Sequence, residues 1–310
     1  MTHFADRLAG EVRRCGNPVL VGIDPRAELL PEGLLAESDL GDCQKVAAAY
    51  ERFSRGVIDV VASLVAAVKP QAAFFEQLGP AGMSALGEVI RYARQKNLIV
   101  IFDGKRNDIG STATAYAKGY LGPSSAWQAD ALTVSPYLGD DSLAPFIEVA
   151  DETGAGVFVL VKTSNPGGGM FQDKQADGRP LYRYVADYVE QQAQRTAGAC
   201  GYGCVGAVVG ATYPEQLVEL REAMPHTWFL VPGFGSQGGT ASDVAGAFDS
   251  DGLGAIVNNS RGIIFAHRRE PYAQKFSDAR WQEAVEAATM DMIGQLHEHT
   301  PAGKLDTGRS

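Results

Sequence analysis

The residues best able to do chemistry stand in one short run, IVIFDGKRNDIGSTAT, where a β-branched stretch delivers Asp103, Lys105 and Asp108 in quick succession. Asp103 and Lys105 are two apart. On an extended strand that spacing turns both side chains to one face, so that an anion and a cation project side by side. Asp108 belongs to the following turn. A second cation, Lys69, lies near the end of the apolar stretch in VAAVKPQAAFF, where Pro70 favours an extended lysine. Asp24 closes VLVGIDP in the same style. Taken singly, each has an ordinary explanation, since Asp before Pro often makes a turn and a strand-end lysine is often solvated. Together, alternating in sign at the ends of separate apolar runs, they read as a preorganised electrostatic site.

Two further runs, FLVPGFGSQGG and AIVNNSRGI, place glycine-rich backbone and polar side chains just past apolar segments. Gly233, Gly235, Gly238 and Gly239 let the chain approach an anion closely, and Arg261 can meet two phosphate oxygens as a fork. Gln237 and Ser260 are neutral donors that could complete such a grip. Ordinary tight turns are the alternative. In KTSNPGG, Ser164 could hydrogen-bond a heterocycle or carbonyl, or simply cap a helix or turn.

The elements that must position these groups are legible as eight short apolar runs ending in polar or glycine-rich punctuation. They are Val19 to Pro25, Ala66 to Phe75, Leu98 to Arg106, Ala131 to Tyr137, Val157 to Pro166, Ala207 to Thr212, Trp228 to Gly235 and Ala255 to Gly262. Helical patterns lie between them, including Asp42 to Val65, Ala81 to Lys96, Leu181 to Ala199, Pro214 to Ala223 and Ser277 to His297. Eight βα units fit a closed (β/α)8 TIM barrel, an α/β fold, better than an open doubly wound sheet, although spacing alone does not exclude the sheet. A barrel places chemistry at the carboxyl ends of its strands, with phosphate held after strands seven and eight. Longer connections at Arg26 to Gly41 and Gly167 to Arg179 are lids or plain solvated insertions. Residues 1–298 read as a single domain and 299–310 as a polar tail.

Composition narrows the partners. A net charge of -10 and a pI near 5.0 argue against a broad footprint for nucleic acid or an anionic membrane, so phosphate must be held locally. Cys15, Cys43, Cys200 and Cys204 read as reduced thiols rather than metal ligands. The opening MTHFADRLAGEVRR lacks the apolar core of a signal peptide, and a cytoplasmic protein is expected.

With these residues in view, the chain resembles orotidine 5′-phosphate decarboxylase, specifically its longer bacterial type, often called type 2, from about Val19 to Arg261. The most specific element is the Asp-x-Lys-x-x-Asp pattern of Asp103, Lys105 and Asp108, followed by Ile109, Gly110 and Thr112. The resemblance implies that Lys69, Asp103, Lys105 and Asp108 form the family's charge tetrad, that Asp24 contacts ribose, and that Thr112 lies near the substrate hydroxyls or phosphate. It makes Ser164 the reader of the pyrimidine edge, and Pro232, Gln237 and Arg261 phosphate-loop residues, with Gly238 and Ser260 beside them. Shorter members carry Gly-Arg where this chain has Ser260 and Arg261. In that family the last aspartate of the pattern reaches the other subunit's site, so Asp108 implies a homodimer.

The implied reaction converts orotidine 5′-phosphate to uridine 5′-phosphate (UMP) and carbon dioxide, the last step of de novo pyrimidine synthesis, with no metal or organic cofactor. Lys105 would face the carbanion and then protonate it. Related barrels with the same pattern that use magnesium, such as 3-keto-gulonate-phosphate decarboxylase and hexulose-phosphate synthase, place a carboxylate at the end of strand two, where this chain has Lys69. A catalytically silent nucleotide-binding barrel is the alternative from another class, and its mark would be a missing charge in the tetrad.

Overall fold

Alternating runs of Val, Ile, Ala and Leu, apolar on both faces, can only be buried as strands covered by side chains within and helices without. In the computed structural model, which describes residues 2–235 and 238–305, they close into a barrel of eight parallel strands. The strands are β1 (Val19–Ile23), β2 (Ala67–Pro70), β3 (Ile99–Arg106), β4 (Ala131–Val134), β5 (Gly156–Lys162), β6 (Val205–Val209), β7 (Phe229–Val231) and β8 (Ala255–Asn259). Neighbours run in sequence order and β8 pairs with β1, Val19 standing opposite Val257. Each expected strand is present, with other bounds than its apolar run: β5 and β6 begin earlier, at Gly156 and Val205, and the apolar residues after Pro70 form the short helix Ala72–Glu76 in place of a longer β2.

The expected helices are found as Cys43–Val61, Gly79–Gln95, Leu181–Arg195, Pro214–Ala223 and Trp281–His299, joined by Gly110–Tyr120 and Asp140–Thr153. A further helix, α1 (Phe4–Cys15), precedes β1 and buries Phe4, Leu8 and Val12. Phe4 meets Phe158 edge-on at 6.0 Å. It fills the space at Gly156, where an added Cβ would lie 2.4 Å from the Phe4 ring. α1 therefore packs against the amino-terminal end of β5, opposite the expected chemistry.

One expectation needs correction. Residues 299–305 of the expected polar tail are packed: His299 closes the last helix, Pro301–Lys304 form a further turn, and Ala302 and Leu305 are buried in the core, while the rest of that tail, 306–310, lies outside the described residues. Those two apolar residues, hidden among polar neighbours, are why the segment packs. The connection from Arg26 to Gly41 stays largely exposed, in keeping with a solvated insertion, and is pinned at two points. Arg268 donates to the Leu30 carbonyl at 3.0 Å, and the Glu32 N–H donates to Asp278 at 2.7 Å.

Candidate active site

β2, β3 and β4 bring four side chains together at the carboxyl end of the barrel. Asp103 is 5% exposed and Lys69 4% exposed, a degree of burial that charged groups reach only when paired. Each Asp103 carboxylate oxygen receives two donors. Oδ2 accepts from the Lys69 ammonium and, at 2.9 Å, from Gln71 Nε2. Oδ1 accepts from Lys105 Nζ at 2.7 Å and from Thr133 Oγ1 at 2.9 Å. An ionised carboxylate has about four lone-pair sites, and all are used here.

The expected juxtaposition of Asp103 and Lys105 is present, by a route that strand alternation did not foresee. The pairing of β3 with β4 shifts between Phe102 and Arg106, and Lys105 takes a left-handed φ of 46°. Such backbone costs a non-glycine residue roughly 1–3 kcal/mol and persists where its surroundings hold it. Here the Lys105 N–H donates to Thr133 Oγ1 at 2.9 Å, so one threonine fixes both the strained backbone and the carboxylate.

The electrostatics follow from this packing. Burial alone would raise the Asp103 pKa, but the ammoniums of Lys69 and Lys105 overcome it and hold the carboxyl far below the usual range. Burial likewise disfavours the Lys69 ammonium, and the Asp103 and Asp24 carboxylates outweigh it, raising its pKa. Asp24 shows the opposite balance. Burial dominates and raises its pKa despite Lys69 and a hydrogen bond with Ser260. Its Oδ1 is buried without a partner among the described residues, so it is poised to accept from a hydroxyl.

A cavity of about 250 Å³ opens beside the cluster, lined by Lys69, Asp103, Lys105 and Thr133, by Ser164 and Asn165 after β5, and by Pro232 after β7. Lys105 has 48% of its side chain exposed, so its ammonium sits at the mouth with one side on Asp103 and the other open. Thr163 and apolar Leu160, Val208 and Leu230 form the remaining wall.

Other expected residues fall differently. Asp108 stands in the turn after β3, its Oδ1 accepting from the Ile109 N–H at 2.9 Å, and among the described residues no ion pair joins it to either lysine. Thr112 is exposed on the first turn of the Gly110–Tyr120 helix, outside the cavity wall. Ser260 leans inward over Gly22, whose Cβ would lie 1.8 Å from its hydroxyl, and partners Asp24. That orientation sets it apart from the phosphate-facing donor expected from sequence. Arg261 opens the short helix Arg261–Ile264 and is exposed, while Gly238 takes φ 92° in the turn after β7. Gln237 lies outside the described residues.

Sequence reading missed Gln71 and Thr133. Gln71 follows Lys69 by two positions, the same parity argument that linked Asp103 to Lys105. Thr133 is the one hydroxyl inside the apolar run ALTV, and a polar side chain there needs a buried partner.

A family model described as "Orotidine 5'-phosphate decarboxylase / HUMPS family" matches residues 18–276. The chain belongs to this family. It is 59% identical over 300 residues to the orotidine 5′-phosphate decarboxylase of Rhodopirellula baltica, spanning 96% of this chain and 99% of that one. A second relative of the same name, from Haloarcula marismortui, is 44% identical over 288 residues, covering 91% and 96% of the two chains. Among solved structures, that of Leishmania donovani OMP decarboxylase aligns with a TM-score of 0.74 at 33% identity, covering 96% of this chain and 98% of that chain. The family's barrel is thus the observed fold.

Proposed function

We propose that this chain decarboxylates orotidine 5′-phosphate to UMP and carbon dioxide. The observation that carries the reading is an ammonium, Lys105 Nζ, fixed by a buried carboxylate at the mouth of a cavity that also presents Ser164 and Pro232. Breaking the bond between the ring carbon and its carboxylate leaves an electron pair on that carbon and releases carbon dioxide. A preorganised positive charge beside the carbon stabilises the developing anion more than the ground state, and this difference is what lowers the barrier. Lys105 then gives its proton to the carbon, and solvent reprotonates the amine.

Asp103 holds Lys105 in place and offers negative charge beside the departing carboxylate. Lys69, locked on the other side of Asp103, keeps that carboxylate ionised. Asp24, with an unpartnered buried oxygen, suits a ribose hydroxyl, and Arg261 with the glycine-rich turn at Gly238 suits the phosphate. All four Asp103 lone-pair sites are occupied by donors, which favours chemistry without a divalent ion at this carboxylate.

Asp108 completes the tetrad in trans, in a homodimer. This reading draws on the lack, among the described residues, of an ion pair between Asp108 and either lysine, and on two exposed apolar side chains, Ile109 next to it in sequence at 56% and Tyr137 after β4 at 75%. A spectrophotometric assay of orotidine 5′-phosphate consumption by the wild type and Lys105→Ala, each with and without a chelator, tests the proposal. Full chelator-resistant turnover in the first and a loss of at least ~10³-fold in the second are expected. Activity that vanishes with chelator, or survives in the variant, defeats it.

A further inference from the structure

A lysine that the chemistry above does not use is buried more deeply than either lysine of the charged cluster. Lys162, the last residue of β5, is 1% exposed. Its ammonium is ion-paired with Asp173, in the segment that follows β5, and lies 4.8 Å from the centre of the Tyr213 ring and 5.4 Å from that of Tyr182. The next residue on each side of this pair repeats the grip. Gln172 Oε1 accepts from the Thr163 N–H at 3.0 Å, and its Nε2 donates to Thr163 Oγ1 at 2.8 Å.

Lys162 immediately precedes Thr163, Ser164 and Asn165, which all line the cavity. From the β6 side, the Gly210 N–H donates to the Lys162 carbonyl at 2.8 Å and Thr212 Oγ1 donates to the Ser164 carbonyl at 3.3 Å. Gly210 is needed for that approach, because a Cβ there would lie 2.7 Å from Ser164 Cα. Ser164 is thereby held from two sides, and only the Asp173 side depends on charge.

We propose that the Lys162–Asp173 pair is a latch that positions Ser164 and Asn165 for the base of the nucleotide, making Lys162 and Asp173 positioning residues for base recognition. The inference rests on the decarboxylase reading, in which Ser164 meets the pyrimidine. An ammonium withdrawn from water must keep its counter-ion. Asp173 therefore stays on Lys162, Gln172 stays on Thr163, and the segment after β5 becomes a brace rather than the free lid or solvated insertion that its sequence suggests. Asp173 itself has 46% of its side chain exposed, so its replacement perturbs the latch without opening the core.

The test compares a ligand that carries the base with one that lacks it. UMP and ribose 5-phosphate are titrated calorimetrically into the wild type, Asp173→Asn, Asp173→Glu and Gln172→Ala. If the latch acts on the base, Asp173→Asn and Gln172→Ala weaken UMP by roughly tenfold to a hundredfold, the scale expected when a contact shifts by about 1 Å. Ribose 5-phosphate affinity stays within about twofold, and Asp173→Glu, which can restore the pair, recovers most of the UMP affinity. Equal weakening of both ligands assigns the pair a general structural role and overturns the proposal, as does unchanged UMP affinity in Asp173→Asn. A wild type that ignores UMP would instead remove the decarboxylase reading itself.

Discussion

Replacing Asp103 with Asn leaves the shape of the buried side chain almost unchanged and removes its charge. The new amide must point its NH2 group toward one of the two ammoniums, so at least one lysine faces a donor where it had an acceptor. Lys69, 4% exposed, then becomes a buried cation whose remaining nearby carboxylate is Asp24. Removing one partner of such a pair costs roughly 3–5 kcal/mol. With an unfolding entropy of roughly 2.1 cal/mol/K per residue, a chain of 310 residues loses about 5–8 °C in melting temperature. Turnover should fall by ~10²–10³-fold, the typical effect of losing a preorganised electrostatic contact.

The pH dependence has a definite sign. The folded Asp103 pKa is depressed, so its contribution to stability is complete above the unfolded value near 4 and is lost as pH falls toward the folded value. The folded Lys69 pKa is raised, so its contribution is complete below the unfolded value near 10.4 and is lost as pH rises through the folded one. The gap in stability between wild type and Asp103→Asn should therefore stay constant from about pH 5 to 9 and narrow below about pH 4. Thermal melts followed by circular dichroism across this range, beside the spectrophotometric assay at neutral pH, measure both effects. Melting within about 2 °C of wild type, together with turnover within about threefold, would refute the account of Asp103 as an obligatory counter-ion.

Three other outcomes are expected. Asp108→Asn and Lys105→Ala should each be nearly inactive alone, yet mixing them under exchange conditions should restore up to about a quarter of wild-type activity, because half the dimers would carry one intact site; no recovery despite verified subunit exchange counts against a shared site. Ser164→Ala should reduce kcat/KM for orotidine 5′-phosphate by roughly tenfold to a hundredfold, matching the loss of about 1–3 kcal/mol when a buried hydrogen-bond partner disappears. Arg261→Ala should lower turnover as well as affinity, by about tenfold or more in kcat/KM, since phosphate binding holds the substrate for chemistry at a distance; unchanged steady-state constants would place the phosphate elsewhere.

Much of the barrel could be read from sequence because parallel strands covered on both sides leave long apolar runs, and the ends of those runs carry the ions. Asp103, Lys105 and Lys69 were legible for that reason. What escaped was tertiary. Nothing in GKRND announces the bulge that gives Lys105 its positive φ, because the cause lies across the sheet in the hydroxyl of Thr133. The inward lean of Ser260 depends on Gly22, distant in sequence and adjacent only when β8 closes against β1. The packing of residues 301–305 was hidden because Ala302 and Leu305 are two apolar residues among polar ones, too few to form a periodic pattern.

The seating of Phe4 against Gly156 has a practical side. It places the start of the chain at the pole of the barrel away from the mouth, so a linker to a bead or sensor surface joined there would leave the nucleotide's approach unobstructed. Trimming that same helix to obtain a smaller protein would remove Phe4, Leu8 and Val12 and uncover the ring of Phe158 with the apolar surface they cover, exchanging compactness for a greasy floor prone to self-association.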